Sequence, residues 1–243
     1  MLNILKSYLI RTRRTPAGMV IILCPLIFTS LFIVYLLSAT GLKGVELAYF
    51  FGAYTILAGF SISFFIPMLY ENDKKAGSYA NDLRIGICRK KLFFVRFIFI
   101  FILLMTIEGI AILPFILFLH FYGTNIQILD LAVYAMIGSV GLISMVPVYQ
   151  FLSLKLGFSG SILIGVFLTL SGILLGTTEL GSNIWYLLPF VWPIKLIFAY
   201  TSHEVTSHVV LIFLALSVII TVVLIGVFGN WYNRWDGINR MEE

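Results

Sequence analysis

Long apolar runs alternate with short charged breaks along this chain, and each run is near the roughly 20 residues that a helix needs to cross a bilayer. Six runs stand out, at residues 17–38, 47–69, 94–119, 128–153, 157–177 and 208–229. The pattern predicts an all-α polytopic membrane protein with six transmembrane helices, organised as one transmembrane domain over 1–243. The first run follows a basic stretch, as the core of a signal peptide would. It is longer than a typical signal core of roughly 7–15 residues, and Leu37-Ser38-Ala39 is a poor cleavage site, so it reads as a membrane helix.

Residues 1–15 place Leu2, Leu5, Tyr8 and Leu9 on one side and Lys6, Arg11, Arg13 and Arg14 on the other, which suits an interfacial helix with a basic anchor. Thr15 and Pro16 then read as N-cap and first helical residue of the next element. The break between the second and third runs is the most charged part of the chain. Seven of the sixteen Lys and Arg residues fall at 70–96. Within it Ala76, Tyr79, Ala80, Leu83 and Ile87 recur at helical spacing, Asp73, Lys75, Asn81 and Asp82 lie away from that stripe, and Gly86 ends it. This predicts a short amphipathic helix over 74–86 on the membrane surface, presented to something soluble. The alternative is a solvated basic loop that only anchors the chain.

The last loop, 178–207, is not hydrophilic. Its stretch 184–200 is apolar and aromatic, broken by Pro189 and Pro193, and too short to cross. One or two helical arms dipping back into the outer leaflet fit it, with Trp185, Tyr186, Trp192 and Tyr200 at the interface. A seventh crossing would instead carry Arg234 and Arg240 to the opposite face.

Composition changes the picture only by confirming the solvent. Apolar residues make up 60% and charged ones 11% of 243, with a mean hydropathy of +1.05, so the outer surface must meet lipid. The net charge of +5 sits in short loops and reports orientation, with no polyanion partner implied. With six crossings, fourteen basic residues share a side with both termini and only Lys43 and Lys195 face the other, so the termini are expected in the cytoplasm. Cys24 and Cys88 are expected to remain inert thiols.

Candidate chemistry is sparse. The chain has no GxxxxGK[ST] nucleotide loop and no GxSxG elbow. His203 and His208 flank Glu204 in an HExxH-like string with one residue too many, which turns the two imidazoles about 140° apart on a helix and argues against a shared metal. Glu108 sits near the middle of the third run and should face the protein interior, either lining a polar substrate route or bonding a neighbouring helix. The fifth run is rich in glycine, with Ser161 and Gly165, and Gly172 and Gly176, four apart, as in helices that pack closely in lipid. Pro114 and Pro147 predict kinks in the third and fourth runs.

An interfacial basic helix, six runs, a surface helix between the second and third, and an aromatic segment before the sixth together resemble the ABC-2 class of ABC transporter permeases. The most specific piece is the stretch 71–83, ENDKKAGSYANDL, followed by Arg89-Lys90-Lys91. It is similar to a pattern in the small permeases that protect bacteria from lantibiotics, with Glu71, Ala76, Gly77, Ser78, Leu83, Arg89 and Lys91 at matching positions. Tyr79 stands for the usual aromatic, and Ile85-Gly86-Ile87-Cys88 departs from the expected turn.

The resemblance implies a subunit of the bacterial plasma membrane without catalytic activity of its own. A coupling helix, carrying Glu71, Lys75, Ala76, Gly77, Tyr79 and Leu83, would dock on a separate ATP-binding cassette subunit, where ATP and Mg would bind; no cofactor is expected in this chain. Trp185, Tyr186, Pro189, Trp192 and Pro193 would belong to an extracellular gate, and a second, non-identical permease would complete the complex. The cargo would be a lantibiotic or another membrane-active peptide, for which Asp130, Glu179 and Glu204 offer weak outer charges. A bacitracin-type peptide, drug or lipid is the alternative cargo, and an intramembrane enzyme or membrane scaffold the alternative class.

Overall fold

The computed structural model describes residues 2–13, 16–75, 79, 88–123, 127–182 and 184–235, and among them every regular element is helical. In chain order these are α1 (Leu2–Arg13), α2 (Pro16–Ser38), α3 (Glu46–Lys75), α4 (Arg89–Tyr122), α5 (Ile128–Val140), α6 (Met145–Thr177), α7 (Trp192–Thr201) and α8 (Ser207–Asn233). Helix α2 begins at Pro16, whose missing N–H lies where a helix has no partner for it anyway. Among the described residues five stretches are long and apolar enough to cross a membrane: Ala17–Ser38, Glu46–Glu71, Arg89–Tyr122, Ile128–Thr177 and Ser207–Asn233. The protein is therefore a polytopic all-helical membrane protein.

The fourth of these is 50 residues long and is not straight. The expected fourth run, 128–153, breaks at a buried turn over 141–144. Bare carbonyls at such depth would be costly, and Ser217 of α8 answers them by donating to the carbonyls of Val140 and Gly141 at 3.1 and 3.3 Å. Pro147 falls in the first turn of α6, just after this break, so it starts a helix where a kink was expected.

Further on, Gly157 takes φ 70° and ψ −163°, a left-handed conformation that only glycine adopts cheaply. The chain folds back there. The Tyr149 hydroxyl lies 3.5 Å from where a Cβ on Gly165 would sit, although sixteen residues of straight helix would span about 24 Å. Leu142 and Met145 likewise line one small cavity with Leu168 and Gly172.

The second arm of α6 packs along α3. Ser161 donates to the Ser63 carbonyl at 3.3 Å, and a Cβ on Gly165 would collide with the Ser63 side chain. The small residues of the fifth run therefore serve a contact within this chain. Farther along the arm, Gly176 leaves room for Ile194 of α7, which wedges between α3 and α6.

The apolar core forms two large clusters and a smaller third one around Tyr8, Ile21, Phe65 and Phe99. One surrounds Phe50, Phe51, Phe115, Trp185 and Trp192, with Phe50 stacked on Phe115 at 3.8 Å. The other gathers Ile62, Tyr70, Phe93, Tyr149 and Tyr232 toward the end that carries α1. There Tyr8 of α1 rests on Phe99 of α4, with ring centroids 5.6 Å apart.

Gly165→Ala is expected to lower stability by about 1–3 kcal/mol through overpacking against Ser63. Ser63→Gly in the same protein should restore part of the loss. Gly226→Ala, with open space around it, should leave stability unchanged. Thermal unfolding in mild detergent compares the three.

Candidate functional site

Polar side chains gather in three places, at the two ends of the bundle and at mid-depth. At the α1 end, Asp73 lies in the last turn of α3 and accepts from two guanidiniums, Arg11 of α1 and Arg96 of α4. Arg96 and Asp73 are both buried, whereas the Arg11 side chain is 45% exposed. The Arg96 guanidinium also sits over the Tyr70 ring at 4.1 Å and the Tyr8 ring at 4.9 Å. Tyr70 in turn accepts from the Gln150 amide at 3.1 Å. One network thus joins α1, α3, α4 and α6 at one end. A buried guanidinium needs this much compensation, because lost hydration is repaid only by a close carboxylate and by ring faces.

The segment between α3 and α4 starts at this network. An unbroken helix over 74–86 is not what forms. Lys74 and Lys75 finish α3, and Tyr79 takes a left-handed φ of 64° while its N–H donates to the Asp73 carbonyl at 3.4 Å. The reason is packing: the Tyr79 ring is buried and meets Trp235 edge-on at 5.2 Å. Arg89, at the start of α4, donates to the Trp235 carbonyl at 2.6 Å, which fastens both ends of the segment to the same residue after α8. Glu71 is half-buried on α3. Ala76, Gly77 and Leu83, and the side chain of Lys75, lie outside the described residues.

Glu108 of α4 faces the interior, 4% exposed, between α3 and α5. Its Oε1 would lie 2.7 Å from a Cβ on Gly138, with the Tyr54 ring beside it, so a larger residue at 138 would take the carboxyl's space. Oε1 has no hydrogen-bond partner among the described residues. Close by, Thr29 of α2 donates to the Ala111 carbonyl at 2.9 Å, within a turn of Pro114, where the helix loses a backbone donor.

At the far end, two short 3-10 turns, Glu179–Gly181 and Trp185–Leu187, lead into α7. Ten residues make α7 about 15 Å long, too short to cross. Trp185 and Trp192 were expected at the interface, but both are buried. The Trp192 indole donates to the carbonyls of Trp185 and Tyr186 at 3.0 and 3.2 Å, and both tryptophan rings pack on Phe213 of α8. The Trp192 indole N–H thus has partners inside the turn, so its ring can be buried against α8. Tyr186 stays exposed, Pro189 is half-buried in the turn, and Pro193 is buried in the first turn of α7. Tyr200 donates to Asp130 of α5 at 2.7 Å. Burial and that carboxylate push the Tyr200 phenol up to about 12, so it remains a neutral donor at physiological pH.

Among the described residues the three places are separate, with Tyr79, Glu108 and Trp185 in different parts of the bundle. Among the described residues no three His, Cys, Asp or Glu side chains come together as a metal site, and both cysteines are free. Sequence reasoning missed the Asp73 network and its extension to Gln150. The signal was present, since Arg96 lies inside the run 94–119 and a cation in such a run requires a partner. Compared with protein-family models, curated proteins and solved structures, the chain matches none.

Asp73→Ala is expected to cost about 3 kcal/mol, because it strands a buried Arg96. Arg11→Gln should cost less than about 1 kcal/mol, because that partner is half in water. Denaturant or thermal unfolding of the two purified variants gives the ranking.

Proposed function

We propose that this chain is the permease subunit of an ATP-driven exporter of the ABC-2 type. It has no catalytic activity alone and works with a separate ATP-binding cassette subunit and a second permease in a bacterial plasma membrane. The observation that carries the reading is the Asp73 network, which ties the root of the segment between α3 and α4 to α1, α4 and α6. A subunit docked on that segment would pull on several membrane helices at once, and this is what ATP-driven gating requires. Support for six crossings comes from the reversal at Gly157, which divides the 50-residue stretch into two antiparallel arms. Both termini would then lie on one side, with the basic residues on the cytoplasmic face.

The aromatic unit of Trp185, Tyr186, Pro189, Trp192 and Pro193 would serve as the extracellular gate, hinged on the turn before α7. Glu108 would line the route, its unsatisfied oxygen held beside Gly138. The cargo would be a lantibiotic or a similar antimicrobial peptide, removed from the membrane to give resistance.

Purification of a tagged chain from its native host in mild detergent is expected to bring down an ATP-binding subunit with ATPase activity. Leu83→Asp, on the proposed docking segment, should abolish that association while the chain still accumulates. Recovery of the chain alone from well-solubilised membranes would end the exporter reading. Glu108→Gln should assemble normally and lose resistance, and wild-type resistance in that variant would remove Glu108 from the route.

Orientation has its own test. In intact cells an impermeant maleimide is expected to label Ser182→Cys and to spare Cys88, both of which are exposed. Inverted vesicles should give the opposite result.

A further inference from the structure

The exposed surface of α1 carries the side chains of Lys6 and Arg11. Lys6, Ser7, Ile10 and Arg11 line an open recess of about 340 Å³, and among the described residues no acidic side chain borders it. Beside it, a smaller, partly open cavity of about 60 Å³ is bordered by Arg11, Thr12, Asp73 and Arg96, so Arg11 borders both spaces. Among the described residues Arg11 pairs with the Asp73 carboxylate, which is already shared by two guanidiniums. Arg11 therefore retains donors for a second anion on its exposed side, and Lys6 adds another charge.

We infer that Lys6, Ser7 and Arg11 form a binding site for the phosphate of an anionic phospholipid. A guanidinium fork with an ammonium and a hydroxyl is a donor set suited to a phosphodiester. The lipid source follows from the neighbours: Leu9 and Ile10 are exposed on the same helix, and Met19, Ile22 and Leu23 are exposed on α2, where acyl chains would continue from the headgroup. Through Arg11 and Asp73, the bound phosphate would share a hydrogen-bonded path with Arg96 at the base of α4. The site depends on the chain being membrane-embedded and not on the exporter reading, so either can fail alone.

Lipid binding to the purified chain, read as adducts by native mass spectrometry, tests the site with phosphatidylglycerol against phosphatidylcholine of the same chain lengths. Wild type is expected to prefer phosphatidylglycerol by about tenfold, given the electrostatic gain per basic residue near a membrane. Lys6→Gln with Arg11→Gln should bring the preference close to unity. Lys90→Gln with Lys91→Gln, which removes two exposed cations elsewhere, should keep it. Lys6→Gln alone leaves the Arg11 and Asp73 pair in place and should still lose part of the preference, which separates binding from folding. Three results would overturn the site: no preference in wild type, equal loss in both double variants, or no change in Lys6→Gln alone. Displacement of phosphatidylglycerol by millimolar inorganic phosphate would overturn the lipid assignment in favour of a soluble anion.

Discussion

Helices in lipid gain little from hiding apolar surface, so their association has to come from close contact. In this chain the closest contact is the seam where Gly165 and Ser161 of α6 meet Ser63 of α3. With no side chain at 165, the two backbones can approach until the Ser161 hydroxyl reaches the Ser63 carbonyl. Much else follows from this seam. It holds the second arm of α6 along α3, which requires the chain to reverse at Gly157, and it leaves the gap near Gly176 that α7 fills.

The same solvent sets where polarity can go. Within the bundle, hydroxyls mostly turn back onto carbonyls of their own helix, as Thr55, Ser153 and Thr221 do. Ser217 and Thr29 instead reach across to carbonyls near a helix break or a proline. Among the described residues the buried charges are Glu108 at mid-depth and Asp73 with Arg96 at the α1 end, where a carboxylate and two aromatic rings surround the Arg96 guanidinium. Glu108 is the exception, with an oxygen that nothing answers among the described residues.

Much of the fold could be read from the sequence, because length and hydrophobicity alone define a membrane helix. The runs at 17–38 and 208–229 agree with α2 and α8 to within a few residues. What could not be read depended on tertiary partners. Pro147 marks the region, but the full turn at 141–144 goes beyond a kink, and Ser217, some seventy-five residues later, donates to the carbonyls of Val140 and Gly141 there. Tyr79 fits a helical stripe at 74–86, yet Trp235 draws it into a left-handed turn. Trp185 and Trp192 carry the usual marks of interfacial residues, yet the bond from the Trp192 indole to the Trp185 carbonyl and packing on Phe213 hold them buried. For the candidate sites, Glu108 stood out as a lone acid in an apolar run, whereas the partners of the Asp73 network come from three different helices, α1, α3 and α4, whose pairing the sequence does not state.

Trp235 has a further consequence. Its ring backs Tyr79 and its carbonyl holds Arg89, so the chain leaving α8 emerges beside both roots of the segment between α3 and α4. Any bulk attached just beyond this point, whether an affinity tag, a fluorescent fusion or a natural extension, competes for the same volume as a protein resting on that segment.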